Sequence, residues 1–399
     1  MNNESITSNR KLLGIAGFGW LFDAMDVGLL SFVITAIQQE WHLTSQQMGW
    51  IGSINSIGMA VGALLFGLLA DKIGRKAVFL ITLLLFSVGS GVSAFAPTLA
   101  IFLLIRFFIG MGLGGELPVA STLVSESVPA KDRGRIVVLL ESFWAGGWII
   151  SALIAYFVIP SYGWKTAMIL SAIPAFYALY LRLRLPDSPR FHTNAEKQPW
   201  LDKVKMIWTA SYARPTIMLW IVWFSVVFSY YGMFLWLPTV LTLKGFTLIK
   251  SFEYVLLMTL AQLPGYFSAA WLIERAGRKF VLVVYLLGTA LCAYFFGQAT
   301  TLSMLLTFGA LLSFFNLGAW GALYAYTPEQ YPTAIRGTGA GMAASFGRIG
   351  GIIGPLLVGY LVAAKVQIST IFFIFCISIV IGVLAVAFLG KETKQQELV

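Results

Sequence analysis

The sequence is dominated by long apolar runs of about 20 residues or more, the length that a helix needs to cross a bilayer. Only 11% of the 399 residues are charged, against about 25% in soluble proteins, which is too few to cover a water-soluble surface. In lipid every backbone polar group has to be satisfied by the chain, and a helix does this within one segment. The sequence therefore predicts an all-α polytopic membrane protein.

We predict twelve transmembrane helices, with one long polar stretch after the sixth. The spans are 12–38, 47–70, 77–95, 99–123, 136–159, 166–185, 215–239, 254–273, 280–299, 302–326, 338–362 and 370–390. This divides the chain into a six-helix bundle at 1–185, a cytoplasmic linker at 186–214 and a second six-helix bundle at 215–399. The linker is expected to be solvated, or to lie at the membrane surface around Trp208. The N-terminus lacks the cleavage site of a signal peptide, so the first span is expected to be an anchor.

The basic residues are distributed unevenly between the loops. The tails, the even-numbered loops and the adjoining helix ends hold 21 of the 27 Lys and Arg residues, while the odd-numbered loops hold only four. Because cytoplasmic loops carry an excess of Lys and Arg, both termini are predicted to be cytoplasmic and the protein to lie in the cell membrane. These charges sit between spans and do not form the clustered face that nucleic acid requires. With only two histidines, and with Cys292 and Cys376 inside apolar runs, we expect no metal site, disulfide framework or cofactor.

Two charged motifs occur twice in the chain. The motif after span two recurs after span eight, and the motif after span four recurs after span ten, both at an offset of 203 residues. The matching charged residues are Asp71, Arg75, Glu126 and Arg133 in the first half and Glu274, Arg278, Glu329 and Arg336 in the second. Two motifs in one order at one offset indicate parallel repeats, and such repeats place a substrate site at their interface.

The same motifs carry a family resemblance that extends over the whole chain. Gly67-x-x-x-Asp71-x-x-Gly74-Arg75-Lys76 resembles the loop signature of major facilitator superfamily transporters. Pro186-Asp187-Ser188-Pro189-Arg190 and Asp26-x-Gly28 are similar to motifs of its sugar-porter and organic-ion branch. The resemblance implies two bundles that rock about a central site. It also implies a cytoplasmic gate in which Asp71 meets span eleven and the repeated Glu and Arg residues form ion pairs.

The chain departs from the sugar porters in the spans that bind sugar in that branch. The segment 220–236 contains no amide, and Glu141 stands where sugar porters have a glutamine in span five. Few polar side chains remain in the spans to hydrogen-bond the hydroxyl groups of a sugar, so a sugar substrate is disfavoured. Over its full length the sequence resembles bacterial niacin transporters of the metabolite–proton symporter group.

Six charged residues lie inside the predicted spans, where each costs about 2.5–3.5 kcal/mol on insertion scales and is a functional candidate. The candidates for proton coupling are Asp23, Asp26, Glu116 and Glu141, with Arg106 as a counter-ion. Asp23 and Asp26 are three residues apart on one helix, so their charges should disfavour each other. The alternative is that these charges form fixed structural pairs or face a cavity without titrating.

The sixth intramembrane charge, Arg348, has no acidic partner in its own half. It is expected to pair with a carboxylate of the first half, or to bind a substrate carboxylate such as that of nicotinate. The other candidates for substrate binding are Trp144, Trp148, Phe228, Tyr231, Asn316 and Trp320. The alternative for each aromatic residue is helix packing or a place at the membrane interface.

We therefore expect a monomeric secondary transporter whose partners are a small molecule, protons and the lipid bilayer. The best single substrate is niacin, as nicotinate or nicotinamide, imported by proton symport with alternating access. The alternatives are another small organic ion such as an aromatic acid, or a facilitator without proton coupling. An enzyme is not expected, since no span carries a histidine or a catalytic constellation, while a transporter-like sensor remains possible.

Overall fold

All regular secondary structure is helical in the computed structural model, which describes residues 3–73, 75–127, 133–183, 199–332 and 334–394. Side chains in parts of 3–15, 67–79, 115–133 and 174–182, and that of Trp200, lie outside this description. The helices are α1 (Asn3–Trp41), α2 (Ser45–Ile73), α3 (Arg75–Ser93), α4 (Leu99–Ser127), α5 (Arg133–Leu183), α6 (Trp200–Met206), α7 (Ala213–Phe234), α8 (Leu237–Leu243), α9 (Leu248–Leu260), α10 (Gln262–Ala276), α11 (Arg278–Gln298), α12 (Leu302–Glu329), α13 (Arg336–Ala363) and α14 (Ile368–Leu389).

The helices account for all twelve predicted spans. Within the described residues, nine helical stretches are long and apolar enough to cross a membrane. One of these, Gly134–Ile173, holds spans five and six, which meet at Gly163. The φ of Gly163 is +84°, a conformation that glycine adopts without strain. Two shorter apolar helices, Leu80–Ser93 and Leu99–Gly114, coincide with spans three and four. The predicted all-α, twelve-helix fold class is confirmed.

Spans seven and eight are each interrupted near a proline, for one or two residues whose backbone stays close to the helical conformation. Span seven ends as α7 at Phe234 and continues as α8, which has Pro238 in its first turn. Span eight divides at Ala261 into α9 and α10, three residues before Pro264. Proline has no backbone N–H for the helical hydrogen bond, so a helix tends to kink or break there.

The described contacts distinguish two faces of the bundle. We call one face the basic face, because it carries Arg135, Arg275, Arg278, Lys279 and Arg336. The opposite face carries the turns at His42, Gly163, Gly245, Ala299 and Lys365. Within the halves, α1 packs on α5, α2 on α4, α7 on α13 and α11 on α12. Between the halves, α2 packs on α13, and α5 packs on α9, α10 and α12. The centre of the molecule is therefore walled by α1, α2 and α5 from one half and by α7, α10, α12 and α13 from the other.

The described part of the linker packs against the second half. Ile207 is buried after α6, and its carbonyl accepts a hydrogen bond from the Thr216 hydroxyl at 2.8 Å. The ring of Trp208 lies 5.1 Å from that of Trp220. This end of the linker is therefore attached to α7.

Candidate functional site

A buried ion pair joins α1 to α4 inside the first half. Arg106 donates from Nη2 to Asp26 Oδ2 at 2.8 Å and from Nη1 to Oδ1 at 3.2 Å, and both side chains are fully buried. Ser90 donates to Asp26 Oδ1 at 3.1 Å, and Arg106 Nη2 also donates to Asn55 Oδ1 at 3.0 Å. A bidentate pair of this kind satisfies both charges where no water replaces the partner. Asp26 and Arg106 lie together, as the sequence predicts.

Glu141 has a very different environment on α5. Its side chain is completely buried, and Oε2 accepts a hydrogen bond from the indole of Trp20 at 3.0 Å. The other oxygen, Oε1, has no hydrogen-bond partner. Tyr266 and Tyr324, both from the second half, lie within electrostatic range of this carboxyl group. In the described part of the chain Glu141 forms no ion pair.

An aromatic cluster fills the centre between the halves, and we define it as Trp20, Trp144, Trp148, Tyr230, Trp320 and Tyr324. Trp144 donates from its indole to the Tyr230 hydroxyl at 2.8 Å and stacks on Trp320 with ring centroids 6.3 Å apart. The ring of Tyr230 lies 4.9 Å from that of Trp320. Since Trp144 belongs to the first half and Tyr230 and Trp320 to the second, the cluster spans the interface that the repeats predicted for a substrate.

Several buried polar atoms beside this cluster have no hydrogen-bond partner in the part of the chain that the structure describes. They are both side-chain atoms of the Gln262 amide, Asn316 Oδ1, the Tyr266 hydroxyl and the Trp320 indole nitrogen. Buried polar groups are normally hydrogen-bonded, so each of these needs a reason. Gln262 and Tyr266 are one turn apart on α10, and Asn316 and Trp320 are one turn apart on α12. Two adjacent helices thus offer donors and acceptors that a small polar ligand or water can use.

Arg348 lies on α13, where the second half meets α2. Its Nη1 contacts the Met59 sulfur at 3.7 Å, and its guanidinium lies close enough to Tyr231 and Tyr324 to act on both electrostatically. Among the residues whose side chains are described, no carboxylate pairs with it. Asp23 of the first half also acts on Tyr231 electrostatically. A sulfur atom is a weak acceptor, and the guanidinium retains donors for an anion.

The basic face carries a second group of charges, which we call the charged cluster and define as Glu274, Arg278 and Glu329. Arg278 donates to Glu274 Oε2 at 2.7 Å and to Glu329 Oε2 at 3.1 Å, and its side chain is fully buried. Glu274 Oε1 also accepts from the backbone N–H of Arg135 at 3.1 Å, which links α10 to the start of α5. This cluster therefore connects the two halves at the basic face.

Among the remaining predicted gate residues, the structure describes the side chain of Arg336 alone. Arg336 donates from Nε to the carbonyl of Pro328 at 3.1 Å. The side chains of Asp71, Arg75, Glu116, Glu126 and Arg133 lie outside the described residues.

Hydrogen bonds and close helix contacts join the halves near the opposite face. The hydroxyls of Thr35 on α1 and Thr239 on α8 are 2.8 Å apart, and Ser31 donates to the carbonyl of Phe234 at 3.2 Å. On the other side of the interface, Ser53 of α2 donates to the carbonyl of Ile352 on α13 at 2.6 Å. The two halves are thus in direct contact between the central cluster and this face.

Two of the predicted aromatic residues on α7 have different surroundings, although they are only three positions apart. Tyr231 lies in the centre beside Arg348, whereas Phe228 stacks on Phe224 and contacts Phe375. Phe228 lines an apolar groove of about 460 Å³ between α7, α13 and α14, away from the aromatic cluster. Of the substrate candidates, Trp144, Trp148, Tyr231, Asn316 and Trp320 are brought to the centre, and Phe228 is not.

Sequence analysis missed several residues that complete this site. Trp20, Tyr230, Gln262, Tyr266 and Tyr324 all lie in the centre. The available signal was helical spacing, since Trp20 lies one turn before Asp23. Tyr324 likewise lies one turn after Trp320.

A bundle of two related halves, with charged and aromatic side chains at their interface, defines the protein as a membrane transporter. A family model described as Major Facilitator Superfamily matches residues 16–269 and 254–398. The chain therefore belongs to the Major Facilitator Superfamily. It is a multi-pass membrane transporter for a small molecule and not an enzyme.

Two relatives match over nearly their entire length. A protein of Bacillus subtilis (strain 168) named "Putative niacin/nicotinamide transporter NiaP" is 68% identical over 399 residues, covering 100% of both chains. The "Niacin transporter NiaP" of Acinetobacter baylyi is 46% identical over 416 positions, covering 97% of this chain and 95% of that protein. The fold is also similar to that of the proton:xylose symporter XylE bound to 6-bromo-6-deoxy-D-glucose, with a TM-score of 0.78, 18% identity and coverage of 99% and 98%.

Proposed function

We propose that this protein imports niacin, as nicotinate or nicotinamide, across the cell membrane by proton symport with alternating access. The main support for this proposal is Arg348, a cation that has no carboxylate partner among the described side chains. It lies at the edge of the aromatic cluster. Nicotinate is a flat aromatic ring with one carboxylate. The guanidinium would bind the carboxylate, while the rings of the cluster would pack on the heterocycle.

The amide and hydroxyl groups on α10 and α12 support the same substrate. The unpaired atoms of Gln262, Tyr266 and Asn316 are few, which suits a ligand with a ring nitrogen and one polar substituent better than a sugar. The names of the two relatives, one for niacin and one for niacin or nicotinamide, agree with this choice.

The transport cycle requires the contacts between the halves to break on one face at a time. On the opposite face these are the contacts of α1 with α7 and α8, and of α2 with α13. On the basic face the described contact is that of Glu274 with the start of α5. We propose that the basic face is cytoplasmic, with both termini on that side, because 21 of the 27 Lys and Arg residues belong to its loops, tails and helix ends. A monomer holds the complete site, since both of its walls come from one chain.

The proposed gate on the basic face includes Asp71 at the end of α2. The Asp71→Asn variant is expected to weaken closure of this face and to lower uptake without lowering expression. Unchanged uptake in this variant would remove Asp71 from the gate.

Uptake of radiolabelled nicotinate by cells expressing the protein, with and without a protonophore, tests the transport function. Uptake that the protonophore abolishes supports symport, whereas uptake that is insensitive to it supports a facilitator. Absence of uptake with confirmed membrane expression contradicts niacin as the substrate. Competition by benzoate as strong as that by nicotinate favours a general aromatic-acid transporter.

Arg348→Gln tests the role of the guanidinium directly. A charge-assisted hydrogen bond contributes about 1.5–3 kcal/mol, so loss of the cation should weaken nicotinate binding by about 10- to 150-fold. Nicotinamide carries no charge, and its binding should change much less. Arg275→Gln is the matched control, because Arg275 also contacts an aromatic ring, Trp271, but lies exposed on the basic face. Equal losses for nicotinate and nicotinamide would contradict a carboxylate bound at Arg348.

A further inference from the structure

Building on the proposed import of niacin with protons, we propose that Glu141 carries the transported proton and that Asp26 remains a fixed charge. Both are carboxyl groups buried in the first half, and only their surroundings differ. The assignment follows from which partners each carboxyl group has, and from which of these partners belong to the other half.

Asp26 has partners for its charged form on both oxygens. Two hydrogen bonds come from Arg106 and one from Ser90. Protonation of Asp26 would leave the fully buried guanidinium of Arg106 without a counter-charge, which is strongly unfavourable. Every one of these partners belongs to the first half, so the pair can move as a unit while the halves rock.

Glu141 has the opposite surroundings. Among the described residues its single hydrogen bond comes from the neutral indole of Trp20, and its second oxygen has no hydrogen-bond partner. A buried carboxylate is tolerated only with a cation or several donors, whereas a neutral carboxylic acid needs far less. In this conformation Glu141 therefore holds a proton, which Oε1 carries because Oε2 accepts the hydrogen bond from Trp20.

The titratable and charged groups around Glu141 come from α1, α4, α10, α12 and α13. From α1 there is the Trp20 indole, which does not titrate, and from α10 and α12 there are the neutral phenols of Tyr266 and Tyr324. On α4, the described intramembrane charge is that of Arg106, which forms an ion pair with Asp26. On α1, Asp23 lies one turn after Trp20, and on α13, Arg348 acts electrostatically on Tyr324 as Glu141 does. Among the described residues no cation forms an ion pair with the Glu141 carboxylate.

Contacts between the halves cover Glu141. One turn before it, Val138 meets α12 so closely that a Cβ atom built on Gly321 lies 3.0 Å from the valine methyl and 3.1 Å from the Tyr266 ring. Water can reach Glu141 only when α5 separates from α10 and α12. The O–H bond then breaks, the electron pair stays on the carboxylate, and the proton passes to water on the side that has opened. The rocking of the halves thereby controls proton release.

The test compares Glu141→Gln with Glu40→Gln. Glutamine keeps the size of the side chain and an oxygen that can accept from Trp20, but it cannot release a proton. Glu40 is a matched control, because it also accepts from an indole, Trp164 Nε1 at 2.7 Å, but lies at the exposed end of α1. Purified variants in liposomes allow three measurements: nicotinate binding, exchange of nicotinate at equal pH, and accumulation driven by a proton gradient.

For Glu141→Gln we expect binding and exchange within about threefold of the parent protein, and loss of both gradient-driven accumulation and substrate-linked proton entry. Glu40→Gln should behave like the parent in all three assays. Accumulation by Glu141→Gln at the parent level overturns the proposal. So does loss of binding and exchange together, because it would make Glu141 a substrate ligand or a structural residue.

A readout without substrate separates this proposal from the proposed function. The infrared C=O band of a protonated carboxylic acid should be present in the parent protein and missing in Glu141→Gln. If the parent does not bind nicotinate but the band difference is found, niacin is wrong and the protonated Glu141 stands. If nicotinate binds and the band is the same in both proteins, Glu141 holds no proton and the proposal is overturned.

Discussion

Closure of the opposite face depends on a close contact between α2 and α13. The Gly359→Ala variant should favour the conformation in which this face is open. A Cβ atom at position 359 would lie 2.5 Å from the carbonyl oxygen of Ser45 and 3.2 Å from the Cα of Gly49. Ordinary contacts of this kind begin at 3.4 Å, so the two helices would have to separate by about 0.9 Å. Overpacking of this kind costs about 1–3 kcal/mol.

This cost applies only to the conformation in which α2 and α13 touch near the opposite face. A conformation in which these helices have separated is not destabilised by the added methyl group, so Gly359→Ala shifts the equilibrium toward that conformation. An energy of 1–3 kcal/mol corresponds to a shift of about 5- to 150-fold. Gly341→Ala is the matched control, because Gly341 lies on the same helix and a Cβ atom there meets nothing within 4 Å.

The shift can be measured as the alkylation rate of a single cysteine placed at Thr239. Thr239 is buried beside Thr35 when the opposite face is closed. The native Cys292 and Cys376 are first replaced, and a maleimide is added to the solubilised protein. Labelling should be faster in Gly359→Ala and unchanged in Gly341→Ala. Equal labelling rates in the two variants would refute the assignment of this contact to the closure.

Two further variants test the packing around the site. Arg278→Met leaves the two carboxylates of the charged cluster without their buried cation and should destabilise the protein by about 3–5 kcal/mol, seen as a lower thermal unfolding midpoint in detergent. Arg275→Met, at an exposed neighbour, should leave this midpoint unchanged. Trp144→Phe removes the donor to the Tyr230 hydroxyl, a loss of about 1 kcal/mol, and should weaken nicotinate binding about fivefold by calorimetry. Unaltered affinity would place the Trp144–Tyr230 pair outside the binding site.

The spans and the repeat could be predicted because the bilayer constrains them in the sequence itself. Each span needs a minimum apolar length, and the charged motifs at 71–76 and 274–279 mark the same loop in both halves. The breaks in spans seven and eight were missed, although Pro238 and Pro264 were visible. A proline in a membrane helix can be accommodated by neighbouring groups, so its presence alone does not decide whether the helix breaks.

The orientation of each helix about its own axis could not be predicted. In a soluble helix the apolar face shows which side is buried, but a membrane helix is apolar all round. Phe228 and Tyr231 were therefore both predicted to bind substrate, whereas one lines an outer groove and the other lies beside Arg348.

The sequence by itself determined the twelve spans, the repeat that relates the two halves, and the presence of charges inside the membrane. The spans and the intramembrane charges follow from the length and polarity of single segments in lipid, and the repeat follows from two charged motifs that recur at one offset. Only the tertiary structure decided which partner each charge has: Asp26 pairs with Arg106 across 80 residues, whereas among the described residues the single hydrogen-bond partner of Glu141 is an indole across 121 residues. These pairings depend on how helices rotate and pack against one another. Helix packing in lipid depends on the shape complementarity of different helices, which no single segment encodes.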